Sequence, residues 1–161
     1  MSDDIRVSRR IAAPAASIFD VLADPARHLE IDGSDMLRGA APGGPITSVG
    51  DVFVMRMYFV EHGDYEMRNH VVDFERDRRI AWEPRPGVGH PDEHARDDHG
   101  WHHRWAYALV PDGPAATVVT EIYDCSRVPA EGRADMDGGR IWIPGMTETL
   151  HRLAAACETT T

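Results

Sequence analysis

Apolar and polar residues alternate through the middle of the chain. Residues 52–60 place Phe53, Met55, Met57 and Phe59 at one parity and Val54, Arg56 and Tyr58 at the other, the period of a strand. The pattern returns over 65–74, with Tyr65, Met67, Asn69 and Val71 on one face, and starts again at 80–82 (Ile-Ala-Trp). Residues 103–110 carry His103, Trp105, Tyr107 and Leu109 on one face, and 117–125 carry Val119, Glu121, Tyr123 and Cys125. Turn residues separate these runs at 61–64, 75–79 and 111–114.

The two ends of the chain have a different period. Residues 5–11 read as a first strand, with Ile5 and Val7 facing in. Pro14 then opens a helix whose apolar face is Ile18, Phe19, Val21 and Leu22. Asp24-Pro25 breaks it and starts a second short helix over 26–30, followed by a turn at 31–34, a short strand at 36–38 and a Gly/Pro-rich loop to residue 50. At the other end, 141–157 places Ile143, Met146, Leu150, Leu153, Ala154 and Cys157 at 3/4 spacing, a helix with one buried stripe, and Glu148 and Arg152 at i,i+4 on its wet side. A long helix after a run of strands needs a sheet on which to bury that stripe. The expected architecture is α+β: one curved antiparallel sheet wrapped around the C-terminal helix, with two short helices after the first strand.

Length and charge narrow the function. A chain of 161 residues suffices for one domain, 1–161, with a core and a cavity. Its net charge is −10, from 17 cationic side chains (all Arg) against 27 Asp and Glu, which argues against nucleic-acid or anionic-membrane binding. Cys125 and Cys157 form no motif and fit a reducing compartment. No signal peptide and no apolar run of transmembrane length is present, so a cytoplasmic protein is expected.

The order of elements is similar to the helix-grip fold of the START-like SRPBCC superfamily, which includes the major birch pollen allergen. Local phrases resemble its polyketide cyclase/dehydrase branch. They are Ile11-Ala12-Ala13-Pro14 with Ile18-Phe19 and Ala23-Asp24-Pro25, Val49-Gly50-Asp51, residues 71–82, Trp105 to Leu109, Thr120 to Asp124, and Leu150 to Leu153. The resemblance implies a deep, largely apolar cavity between sheet and helix for a sterol, lipid, polyketide or hormone. It carries over no catalytic residue, and only some members do chemistry.

The residues themselves also argue for a cavity. Large side chains recur on the inward parity: Phe53, Met55, Met57, Phe59, Met67, Trp82, Trp105 and Tyr123, to which the helix adds Met146 and Leu150. The same parity carries Asn69, His103 and Glu121, and apolar walls with a few convergent polar groups describe a ligand site. An inward Glu121 would have a raised pKa and, with His103 or Tyr107, could act as a general acid/base set, while Tyr58 and Tyr123 could orient carbonyl oxygens. The competing expectation is a bulge that turns Glu121 outward, paired with Arg104 or Arg68.

Two further constellations have plainer readings. His28, Asp32 and Ser34 share composition with a hydrolytic triad, but capping and turn chemistry explains them, and they could line the cavity mouth. His90, Asp92, Glu93, His94, His99, His102 and His103 lie on or beside a long loop over 85–100, expected to be a solvated, pH-sensitive lid. Gly89, Pro91 and Gly100 argue against the helix that would align His90 and His94 on a metal, and no cofactor is expected. Three functions remain open: a carrier of a small hydrophobic molecule, a cyclase or dehydratase acting on a ketone, or a subunit that docks a protein partner through an exposed face around Val54, Tyr58 and Val60; a homodimer is also left open.

Overall fold

The protein is described by a computed structural model covering residues 4–93 and 102–158. Among these residues, seven strands form one antiparallel sheet in the order β1-β7-β6-β5-β4-β3-β2. The strands are β1 (Asp4–Ile11), β2 (Leu37–Ala40), β3 (Val52–Phe59), β4 (Gly63–Glu75), β5 (Arg79–Pro86), β6 (Arg104–Pro111) and β7 (Thr117–Asp124). Helices α1 (Ala15–Leu22) and α2 (His28–Ile31) follow β1, joined by a 3-10 turn that Asp24 caps through its side chain. A short α3 (Ala130–Asp135) and a 3-10 segment lead into α4 (Ile143–Cys157).

Helix α4 packs against β1, β7, α1 and α2. Met146, Thr149, Leu150, Leu153 and Ala154 are its buried face. Ile143, expected to start the stripe, is the first residue of the helix and is 38% exposed. This is the helix-grip arrangement.

Sequence parity holds on β3, where Phe53 and Met55 are buried and Val52 and Arg56 exposed. It holds on β4 as far as Val71. There the register against β5 shifts between Val71 and Asp73, so Phe74 rather than Asp73 turns inward, its ring edge-on to Phe19 at 5.4 Å. Strand β5 runs four residues beyond the expected 80–82. Its pairing with β6 stops at Trp82↔Trp105 and only the β4 side continues, so Pro84 and Pro86 omit no ladder bond on the open side.

The turn after α2 is clamped to α4. The Gly33 N–H donates to Thr149 Oγ1 at 2.9 Å, and Arg152 donates to the Asp32 carbonyl and, at 3.1 Å, to Glu148. A Cβ at Gly33 would lie 2.4 Å from the Gly145 carbonyl oxygen and 2.7 Å from the Thr149 nitrogen, both backbone atoms that cannot step aside. Gly33→Ala should therefore cost about 1–3 kcal/mol of stability in urea unfolding. Gly44→Ala, which meets nothing within 4 Å, should leave stability within about 0.5 kcal/mol of wild type; equal effects at the two positions would contradict the clamp.

Candidate functional site

Strand β7 is paired in continuous register on both sides, Val7↔Glu121 with β1 and Tyr107↔Glu121 with β6. No bulge intervenes, so Glu121 keeps the inward parity of Val119 and Tyr123 and is 4% exposed. The outward alternative fails: Arg104 pairs with Glu83 at 2.8 Å, and Arg68 donates to the Pro86 carbonyl.

The core beneath α4 divides into two apolar clusters. One holds Phe53, Met55, Val71, Ile80, Tyr107, Leu109, Val119, Leu150 and Leu153, with Trp82 packed against it. The other holds Tyr123, Cys125, Val128 and Met146, with Trp105 and Trp142 alongside. Along β7, Glu121 falls between Val119 of the first and Tyr123 of the second; along α4, Thr149 falls between Met146 and Leu150. A buried polar position, Glu121 on β7 and Thr149 on α4, thus marks the seam between the two clusters on each element.

In that seam the Tyr107 hydroxyl donates to Glu121 Oε1 at 3.0 Å, while Glu121 Oε2 is buried with no hydrogen-bond partner. An orphaned buried polar atom costs about 1–3 kcal/mol, and an ionised one far more. Burial pushes the Glu121 carboxyl up to about 8; the Tyr107 hydrogen bond works against this and the charge of Asp32 adds to it. Tyr107 is itself raised well above its ordinary value by burial and by Glu121. Glu121 is therefore a neutral acid at pH 7, with Oε1 accepting from the phenol and an O–H on Oε2 to offer.

His103 is part of a separate pair. Its Nδ1 lies 2.5 Å from the Tyr123 hydroxyl, which is also 3.3 Å from Met136 Sδ. Burial, with a smaller contribution from His102, lowers its pKa to about 4, so it is neutral. Four residues of extended chain separate His103 from Tyr107, roughly 13 Å, so His103 does not complete the Glu121–Tyr107 set. Trp105 and Trp142 pack on the Tyr123 ring at 4.7 and 6.1 Å. Gly139, with φ +96°, lets the chain pass over that ring, where a Cβ would be 2.6 Å away.

The other expected lining residues divide. Met57, Phe59, Trp82 and Trp105 are on the inner face yet only partly buried, so the sheet is not fully covered there. Met67, Met146 and Leu150 are buried. Asn69 is buried but directs its amide to the Phe53 and Met67 carbonyls at 3.3 and 3.4 Å, serving the sheet. Tyr58 is on the outer face, 39% exposed, under Arg38 at 5.3 Å, and cannot orient a ligand inside.

Asp32 and Ser34 do the turn chemistry expected of them. Asp32 Oδ1 accepts from the Ser34 N–H and hydroxyl, and Oδ2 from the Leu37 N–H. His28 is buried, its Nε2 2.7 Å from the Leu22 carbonyl and its ring stacked 5.5 Å from Trp82 and edge-on to Phe53 at 5.7 Å. It packs against two inner-face side chains of the sheet, and its own helix gives no sign of this because Trp82 is far away in sequence. His90 also departs from expectation: it is buried against Tyr65 and His62, at ring separations of 5.2 and 5.1 Å, rather than solvated. His94 and His99 lie outside the described residues. Among the described residues no group of three or more His, Cys, Asp or Glu gathers as a metal site would require. A surface groove of about 460 Å³ lies elsewhere, between Pro25, the 40–46 loop and β3.

A curved antiparallel sheet gripping one long helix is a START-like fold. The chain belongs to the family described as polyketide cyclase / dehydrase and lipid transport, whose family model matches residues 2–158. Rv0088 of Mycobacterium tuberculosis, described as an uncharacterized protein, is 31% identical over 121 residues, 74% of this chain and 47% of that protein. The chain thus spans about half the length of the curated relatives it matches. Among solved structures, protein Ms6760 from Mycobacterium smegmatis superposes with a TM-score of 0.68 at 16% identity, over 99% of this chain and 93% of that one. Ginseng major latex-like protein 151 from Panax ginseng gives 0.68 at 12% identity over 97% of both chains. A START superfamily protein from M. smegmatis gives 0.65 at 14%, over 95% of this chain and 97% of that one. At such identities these structures establish the fold alone. No described helix is long and apolar enough to cross a membrane.

The raised carboxyl makes stability depend on pH. Its folded pKa, about 8, lies above its ordinary 4.5, so the folded protein holds a proton that the unfolded chain releases, and stability falls as pH rises through that window. His103, depressed to about 4, acts in the opposite sense: stability is full above about pH 6.5 and falls on acidification. Between about pH 6.5 and 8 only the Glu121 effect remains of the two, and wild type should lose about 2 kcal/mol there. Glu121→Gln should flatten that limb in denaturant titrations at each pH; an unchanged slope would contradict a buried neutral Glu121.

Proposed function

We propose that this protein binds a small hydrophobic molecule, polyketide, lipid or sterol-like, between the sheet and α4, with the polar end of the ligand at Glu121 and Tyr107. The observation that carries this reading is the orphaned Oε2 of Glu121, buried between two apolar clusters. A packed core would cover it with a partner or replace it with a hydrocarbon; a ligand site leaves it for the guest. The partly covered inner faces of Met57, Phe59, Trp82 and Trp105 support the reading as apolar walls, and Phe53, Met55, Met67, Met146, Leu150 and Tyr123 supply the packing behind them.

One observation favours a second reading, a lyase-type cyclase or dehydratase. A neutral carboxylic acid beside a phenol can polarise a ketone and return a proton to a leaving oxygen. Proton abstraction next to the carbonyl also needs a base, and His103 is engaged with Tyr123 instead. Binding therefore stands first.

Native mass spectrometry of the purified protein, followed by denaturing extraction, tests the proposal. An apolar molecule of a few hundred daltons should co-purify with wild type and be reduced in Glu121→Leu. A clean apo mass, together with no thermal shift from any ketone, sterol or fatty acid, would contradict it.

A further inference from the structure

We propose that the molecule held at Glu121 is uncharged and presents a hydrogen-bond acceptor, a ketone, enone or ester carbonyl, and that only the protonated acid binds it. The inference rests on the ligand-site reading above and adds the chemistry of the guest and its control by pH.

The geometry leaves one free position on the Glu121 carboxyl. Tyr107 from β6 occupies Oε1, and β1 opposite contributes Val7, which is apolar. Oε2 is vacant and buried. Among the described residues, the charged and titratable groups on the elements packed nearby offer it no counter-ion. From the α2–β2 turn comes the Asp32 carboxylate, both of whose oxygens are taken by Ser34 and Leu37. From α4 comes Arg152, which donates to the Asp32 carbonyl and to Glu148. His28 on α2 holds the Leu22 carbonyl, and burial keeps it neutral. Further along the sheet the neutral His103 holds Tyr123.

A ligand carboxylate would face Asp32 and an acidic site. A ligand ammonium would have to shed its water and keep Glu121 ionised in an apolar seam, and the desolvation of both ions opposes that. A carbonyl needs only the O–H that Oε2 already offers, and it removes the cost of the orphan. The elevated pKa of Glu121 keeps that proton in place at neutral pH.

Three naphthalenes of matched size test this on the full chain by equilibrium dialysis and tryptophan quenching: 2-acetylnaphthalene, 2-ethylnaphthalene and 1-(2-naphthyl)ethylamine. At about pH 6 the ketone should bind roughly five- to tenfold tighter than the hydrocarbon, the worth of one hydrogen bond. Its affinity should fall about tenfold by about pH 9 as Glu121 ionises, while that of the hydrocarbon stays level. Glu121→Gln, whose amide still donates, should keep the ketone preference and lose its pH dependence. Glu121→Leu should lose the preference and keep the hydrocarbon. Equal affinity for ketone and hydrocarbon in wild type would overturn the inference and leave the ligand site standing. Tightest binding of the amine would overturn it in favour of an ionised carboxylate. Failure of all three probes to bind folded wild type would remove the ligand site itself.

Discussion

A carboxyl group under a helix, with one oxygen bound to a phenol and the other bound to nothing, sets the terms for the rest of this structure. Ionised, Glu121 would be an uncompensated charge in an apolar interface, and no cation reaches it among the described residues. It persists because it can stay protonated, and because Tyr107 on the neighbouring strand meets its first oxygen. Its position is fixed by main chain: β7 is laced to β1 and β6 in unbroken register, so the side chain cannot turn out without breaking two ladders. The α2–β2 turn, pinned to α4 through Gly33 and Thr149, brings a second carboxylate, Asp32, close enough to raise Glu121 further.

The family accounts for the frame and leaves the site to this chain. A helix gripped by an antiparallel sheet can house lipid carriers and enzymes alike, since the fold supplies a wall and the side chains supply the chemistry. Here the inner face of the sheet carries aromatic and thioether side chains, and the polar groups fall into two separate pairs, Glu121–Tyr107 and His103–Tyr123. The first has an unmet donor. The second has Met136, Trp105 and Trp142 around it, and there the Trp142 Nε1–H is likewise buried without a hydrogen-bond partner.

Much of this was legible in the sequence because strands advertise their faces with a period of two. The parity that gathers Phe53, Met55, Tyr107 and Val119 also delivers Glu121 to the interior, and it held because β7 carries no bulge. The bulge after Val71 left no mark in residue type, and the prolines at 84 and 86 disguised the far half of β5 as loop. They are tolerated only because β6 has already parted from that edge. Contacts between distant segments were beyond reach: nothing near Gly33 names Thr149, and nothing near His28 names Trp82. His103 shares the parity of Tyr107, but parity gives a face and no distance, and four residues along a strand are enough to place it in another pair.

The protonation state of Glu121 is the point on which the account turns. Infrared difference spectroscopy of wild type minus Glu121→Gln, across a pH titration, reads it directly. A protonated-carboxyl C=O band should be present at pH 7 and disappear with a midpoint near pH 8. A difference spectrum showing an ionised carboxylate at pH 7, with its midpoint near the ordinary glutamate value, would contradict it.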